Sequence, residues 1–391
     1  MRRKKNILLI IETSRAFGRG LLQGISHYLL EHDEWSVHVE DRGLLESTPS
    51  WLQNWKGDGI ISRTSSFAVA RTLNRLAIPL VELLGNGQQI VPEIRSDEDE
   101  VAGSVVDHFV QSGFTDFGFF AIGNAWWSQL RQEAWIREVQ KRGGQTHLFA
   151  QAGKGRRVFY PVWEPRYDLM MQRWLRYLPK PIAIWAVSDA LAIRLLEGCR
   201  RVGIQVPGEA AILGTTNDTL LCNIMTPPLS SVDLNGFRIG YAAADRLAWK
   251  MKGKTVQESP VLIPPIGVIA RQSTDMVALP DKEIATAIRF LRDNAARNIS
   301  VDQIAEASGI SRSTLQRRFR NKIGHSVEKE IMRTRMERAK RLLRETMFSL
   351  SAIAVKTGFA TTDYFVQAFR RECGMTPHQY RKQIRAVFTT D

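Results

Sequence analysis

Short apolar runs alternate with amphipathic helical stretches as far as residue 275, and from Glu283 onward no strand signal remains. The run at 7–11 is apolar throughout, which suits a strand buried on both faces. Leu21, Leu22, Ile25, Leu29 and Leu30 then recur at helical spacing. Further strands are expected at 35–39, 58–61, 79–81, 117–122, 146–149, 182–187 and 210–213, where the series closes. Helices are expected at 102–110, 126–142, 168–177 and 190–202. Strands spaced by helices of about 10–15 residues predict parallel sheets covered by helices on both faces.

The tail follows another rule, because it is helical throughout and repeats itself. Leu315, Phe319 and Gly324 recur as Phe365, Phe369 and Gly374, each 50 residues on, and Gly309 recurs as Gly358, 49 on. In the first copy Val301, Ile304 and Ala305 form the inner face of a short helix. Gly309 and Ile310 make the turn, and Ser311 offers an N-cap oxygen to the next helix. Leu315 and Phe319 are the buried stripe of that second helix. Arg312, Ser313, Gln316, Arg317 and Arg320 form its outer face, with Thr314 beside them. The second copy runs from Leu350, Ile353 and Ala354 through Gly358 to a helix beginning near Thr361. Thr361, Thr362, Asp363, Val366, Gln367 and Arg370 lie on or near its exposed side. Between the copies, 331–343 can form one long helix carrying Arg333, Arg335, Arg338, Lys340 and Arg341, which would hold the units at a fixed separation.

One Gly-turned helix pair with surface arginines is only a helical hairpin. Two in register, each with a polar and basic outer face, follow the pattern of a helix-turn-helix DNA reader. Arg can read guanine bidentately and Gln adenine, while Ser and Thr suit base edges or phosphates. Charge agrees with this reading. The chain has 54 Lys and Arg against 40 Asp and Glu, a net +14, and residues 283–391 alone hold 21 against 11. A basic excess concentrated in one quarter of the chain points to a polyanionic partner there.

At 391 residues the chain suits two or three domains: 1–275, a connector at 276–282, and 283–391. Cys199, Cys222 and Cys373 are too few and too scattered for a disulfide scaffold or a metal site, and neither a metal nor a cofactor is expected. The apolar run at the N-terminus stops at Glu12, too short for a signal peptide. No stretch approaches the ~18–20 apolar residues of a membrane span, so a soluble, cytoplasmic protein with no membrane partner is expected.

Residues 283–385 resemble the DNA-binding domain of the AraC family of bacterial transcription regulators. The matching residues are Ile304-Ala305, Gly309-Ile-Ser311, Leu315-Gln-Arg-Arg-Phe319, Gly324 and the helix with Arg335, Ala339 and Leu342-Leu343. They continue through Ile353-Ala354, Gly358-Phe359, Tyr364-Phe365, Phe369-Arg370, Gly374-Met-Thr-Pro377 and Tyr380-Arg381. The resemblance implies that the helices from Arg312 and Thr361 enter successive major grooves, roughly 34 Å apart, on one face of double-stranded operator DNA. The first 275 residues resemble the ligand-binding core of LacI-type regulators and periplasmic sugar-binding proteins. The matches include Ser96-Asp97, Ala186-Val-Ser-Asp189, Ala211-Ile-Leu-Gly214, Leu229-Ser-Ser-Val-Asp233 and Arg271-Gln-Ser-Thr274. That resemblance implies a type I periplasmic-binding-protein-like sensor of two α/β subdomains with a cleft between them, joined here to an all-α double helix-turn-helix domain. The domain order is similar to that of XylR-like xylose-operon regulators.

The resemblance implies a sugar effector, xylose or a related pentose or polyol. Sugars need planar hydrogen-bonding groups and an aromatic face, placed on loops at the carboxyl ends of strands. Candidates on the matching loops are Arg19, Trp126, Trp127, Arg131, Asp189, Asn217 and Asp218. Plainer roles stay open for several. Asp189 could cap the helix from Ala190, Trp127 could pack in the core, and Arg19 and Arg131 could be solvated. The family usually has Asp before that Asn, where this chain has Thr216. Either Asp218 takes over or the ligand lacks the hydroxyl concerned.

Two rivals remain. A DNA-repair-type enzyme fused to an AraC-like tail needs a reactive cysteine and a zinc-holding cysteine cluster, and no such clustering exists. An architectural DNA binder would leave the first 275 residues without a use. The expectation is therefore a non-enzymatic regulator that works as a homodimer with RNA polymerase, activating with ligand by resemblance. The connector at 276–281 is too short for a free tether.

Overall fold

Ile7, Leu8, Leu9 and Ile10 are almost fully buried, and alternate side chains of this strand point into two different cores. In the computed structural model the strand is β1 (Lys5–Ile10). Ile7 and Leu9 join Leu21, Ile25, Ile239 and Leu247 on one face, whereas Leu8 and Ile10 meet Leu52, Ile60, Val69 and Leu73 on the other. Burial on both faces explains why the sequence there is continuous rather than alternating. The structure describes residues 3–32, 34–44, 46–85, 93–121, 125–149, 165–254, 260–275, 281–297, 299–346 and 348–386. Two compact units divide the chain, Met1–Met276 and Val277–Asp391. The expected connector residues 276–280 lie outside the described residues.

In the first unit β1 is followed by α1 (Ala16–His32), β2 (Trp35–Glu40), β3 (Gly59–Ser62), α2 (Phe67–Arg75) and β4 (Leu80–Glu82). These strands form a parallel sheet in the order β2-β1-β3-β4. Next come β5 (Ile94–Ser96), α3 (Glu98–Gln111), β6 (Asp116–Phe120), α4 (Trp126–Lys141), β7 (Gln145–Phe149), α5 (Pro165–Tyr177) and β8 (Ile182–Ala186). They are followed by α6 (Asp189–Val202), β9 (Ala210–Thr215), α7 (Thr219–Ile224), β10 (Ser230–Asp233), α8 (Gly236–Met251), β11 (Val261–Ile263) and β12 (Gly267–Ile269). The second sheet runs β12-β10-β9-β8-β6-β7, parallel except for β12, and β5 pairs separately with β11.

The expected strand–helix series does not close at residue 213. The chain returns from the second sheet to the first through α8, which packs on α1 with almost nothing between the backbones. A Cβ on Gly24 would sit 2.0 Å from the Phe237 carbonyl oxygen, and one on Gly240 would sit 2.0 Å from that of Leu21. Small residues at this crossing are therefore obligatory. The strands β5, β11 and β12, three residues each, are too short to show a period at all.

The second unit comprises α9 (Lys282–Asn294), α10 (Val301–Ala307), α11 (Arg312–Ile323), α12 (Val327–Glu345), α13 (Leu350–Lys356), α14 (Thr362–Cys373) and α15 (Pro377–Ala386). The internal repeat extends to individual hydrogen bonds. Ser311 caps α11 and Thr361 caps α14. Gly324 and Gly374 end those helices in the left-handed conformation, at φ +83° and +73°. Ser308 and Thr357 each return a hydroxyl to two carbonyls of the preceding helix. Leu315 and Phe319 anchor one core, and Phe365 and Phe369 the other. Arg335 of α12 donates to the carbonyls of Ala295 and Arg297, tying the connecting helix to the end of α9.

Candidate functional site

A cavity of about 360 Å³ opens between the two subdomain sheets, lined by residues that follow the carboxyl ends of β1, β3, β4, β6, β8, β9 and β10. Ligands of open α/β folds enter at this end of the strands. Five of the seven residues picked from sequence line it: Trp126, Trp127, Arg131, Asp189 and Asp218. Trp126 and Trp127 are half-buried at the start of α4 and offer aromatic faces.

Asp189 is not a helix cap, since Ser188 holds that place and accepts from the Leu191 amide. The Asp189 carboxylate is instead the hub of the wall. Its Oδ1 accepts from Ser231 Oγ at 2.6 Å, and its Oδ2 accepts from Thr216 Oγ1 at 3.0 Å and the Asp218 amide at 2.8 Å. Burial outweighs these donors and raises its pKa to about 6. Thr216 and Asn217 sit at φ +98° and +50°, uncommon for residues with a side chain and costly for a β-branched one. Ser231 and Asp233 pin the turn through the Asn217 amide and Nδ2.

Arg131 is buried, which overturns its reading as a solvated side chain. Its Nε and Nη2 hold Glu98 at 2.7 and 2.8 Å, and Nη1 donates to the Val187 carbonyl at 3.0 Å. The guanidinium also lies 5.6 Å from the Trp127 ring and 5.9 Å from that of Trp185. Arg19, which is exposed, and Asn217, which is buried, are not among the lining residues. Arg19 donates to the Thr13 carbonyl and pairs with Asp218 at 3.6 Å. Asp218 also caps α7.

In the second unit the outer faces of α11 and α14 carry the predicted side chains. Arg312, Ser313, Gln316, Arg317 and Arg320 are exposed, with Thr314 half-buried. On α14, Asp363, Gln367 and Arg370 are exposed and Thr362 is half-buried. Thr361 lies just outside the helix as its cap, its hydroxyl bound to the Tyr364 amide. Arg312 meets Asp302 at 2.9 Å in an exposed pair, and such pairs hold a side chain weakly.

Comparison with known proteins bears on both units. Three family descriptions match in sequence: the XylR N-terminal domain over residues 6–93, a periplasmic binding protein-like domain over 106–274, and a helix-turn-helix domain over 304–383. The xylose operon regulatory protein of Haemophilus influenzae is 29% identical over 385 residues, 96% of this chain and 97% of that protein. Its Escherichia coli K12 counterpart is 27% identical over 390 residues, 97% of each. The structure of the xylose-binding transcription activator xylR matches with a TM-score of 0.64 at 26% identity, covering 98% of this chain and 99% of that one. Along nearly its whole length the chain is similar to XylR-like transcription regulators. The lac repressor dimer bound to operator shares the sensor fold, with a TM-score of 0.55 at 16% identity over 70% of this chain and 95% of that one.

Sequence reasoning missed four charged residues of the cavity: Arg15, Arg63, Arg95 and Glu98. Arg63 directly follows β3 and could have been found by the same strand-end rule that picked Asp189. Glu98 was two residues from the matched Ser96 but drew no notice, because its role depends on Arg131, 33 positions away. No helix among the described residues is long and apolar enough to cross a membrane.

Proposed function

We propose that the chain is a cytoplasmic, effector-gated activator that binds operator DNA through α11 and α14 as a homodimer and engages RNA polymerase there. The duplicated helix-turn-helix carries this reading: two capped helices of twelve residues each, both turning polar and basic side chains outward. Arg312, Ser313, Thr314, Gln316, Arg317 and Arg320 contact one groove, and Thr361, Thr362, Asp363, Gln367 and Arg370 the next. The cleft takes a small sugar or polyol, with Asp189 and Asp218 as acceptors and the tryptophans against its C–H face. Arg131 lines the cleft beside them, Asn217 holds the turn of Thr216, and Arg19 pairs with Asp218. The relatives named for the xylose operon make D-xylose the first sugar to test.

A repair-type alkyl acceptor fits poorly. Cys199 and Cys222 are buried, and burial pushes the Cys199 thiol up to about 12 and raises that of Cys222, opposite to what a nucleophile needs. Selection of duplexes from a random pool by the full chain tests the proposal. Enrichment of one sequence motif, bound more weakly as salt rises, is expected. Recovery of unselected sequence would contradict it.

A further inference from the structure

Two separate apolar cores hold the two helix-turn-helix copies, and α12 belongs to both. Through Val327 and Ile331 it packs with α9, α10 and α11. Through Met336, Ala339 and Leu343 it packs with α13 and α14. The change-over falls between Ile331 and Met336. A lone helix is a soft joint there, because Thr334 returns its hydroxyl to the Glu330 carbonyl at 2.9 Å, a bond that favours bending.

A seam closes beside that joint. Arg335 donates Nε to the Ala295 carbonyl at 2.9 Å and Nη2 to the Arg297 carbonyl at 3.0 Å, both in the turn that follows α9. Its guanidinium lies 5.8 Å from the ring of Phe359, a member of the second core. Gly358 approaches the same turn so closely that a Cβ there would stand 2.6 Å from the Ala295 oxygen and 3.0 Å from the Ala296 carbonyl carbon. One side chain therefore touches the end of α9 in the first copy and the turn of the second. The planar fork of a guanidinium holds two acceptors in fixed geometry, which the point charge of a lysine does not.

We infer that Arg335 sets the spacing at which α11 and α14 read DNA, a positioning residue that selects operators by the separation of two submotifs. The inference rests on reading α11 and α14 as the DNA-binding helices and adds what holds them apart. Spacing matters because each base pair inserted between the submotifs carries the second groove about 3.4 Å along the duplex and about a tenth of a turn around it.

Selection of duplexes from a random pool by the full chain and by its Arg335→Ala variant tests this. The unaltered chain is expected to enrich two submotifs at one spacing, and the variant the same submotifs at several spacings. In the best duplex, one base pair inserted between the submotifs should weaken the unaltered chain tenfold or more and the variant threefold or less. Arg335→Lys keeps the charge but not the double bridge, so it should behave alike, and it decides the matter if the alanine variant fails to fold. A purely stabilising role would lower affinity at every spacing equally. An insertion penalty the same in variant and unaltered chain would therefore overturn the inference, as would an unaltered chain that tolerates the insertion. Failure of the unaltered chain to enrich any pair of submotifs would overturn the two-helix reading itself, and the inference with it.

Discussion

Arg271 Nη2 donates to Asn217 Oδ1 across 3.0 Å, joining the segment that ends the sensor to the strained turn behind the cleft wall. The same guanidinium binds Asn223 Oδ1 at 2.8 Å and the Leu229 carbonyl at 2.9 Å, and it is almost fully buried. Thr216, the residue before Asn217, touches both the cavity and Asp189. A shift of this turn would therefore reach residue 271, four positions before the described residues of the first unit end at Asp275.

Asn217→Ala removes one end of that link. It should leave operator affinity without ligand unchanged but reduce the change that ligand produces, read by anisotropy of labelled operator with and without effector. Arg271→Ala should be harsher, about 2–4 kcal/mol in urea unfolding of the sensor, because it strands several buried acceptors. An unaltered ligand response in Asn217→Ala would remove the link from the account.

The outer face of α11 predicts two kinds of DNA variant. Arg312→Ala or Gln316→Ala should relax specificity at particular base pairs, each costing about 1–3 kcal/mol against the preferred base. Lys322, exposed in the last turn, should act on phosphate, so Lys322→Ala weakens all duplexes alike and lowers the salt slope by about one. Base-by-base competition assays separate the two.

The buried Asp189 carboxyl carries a stability signature. Its folded pKa of about 6 exceeds the ordinary 3.8, so the folded state binds the proton more tightly. The resulting stability is complete below about pH 3.8 and is lost as pH rises through 6. Against Asp189→Asn, which does not titrate, the unaltered chain should lose about 1 kcal/mol between pH 5 and pH 7. Paired denaturant melts at the two pH values check this, and a constant difference would contradict it.

The two turn glycines should differ. Both have positive φ, but a Cβ on Gly309 meets open space, whereas one on Gly358 would lie 2.6 Å from the Ala295 carbonyl oxygen. Gly309→Ala should cost roughly 1–2 kcal/mol for the left-handed backbone alone. Gly358→Ala should cost more, because the second helix-turn-helix copy must also move away from the end of α9. Thermal melts of both variants rank them directly.

The helix-turn-helix units were legible because duplication restates each cap, turn and buried aromatic 49 or 50 residues later, as with Ser311 and Thr361. The parallel sheets were legible because residues 7–11 and 182–187 are apolar throughout. What escaped notice depended on partners distant in sequence. Glu98 has meaning only against Arg131. Asp189 was picked from sequence and lines the cavity, yet its donors come from the turn of Thr216 and Asp218 and from Ser231 on β10, which adjacency in sequence does not connect to it.

The most direct test of the effector-gated account is reciprocal. The duplex most enriched by the full chain is titrated with and without D-xylose, and D-xylose is titrated with and without the duplex. The account predicts that each changes the other's affinity by the same factor, on the order of 5- to 150-fold. Equal affinities in both comparisons would mean that the cleft and the DNA-reading helices share a chain without acting on one another, and would contradict it.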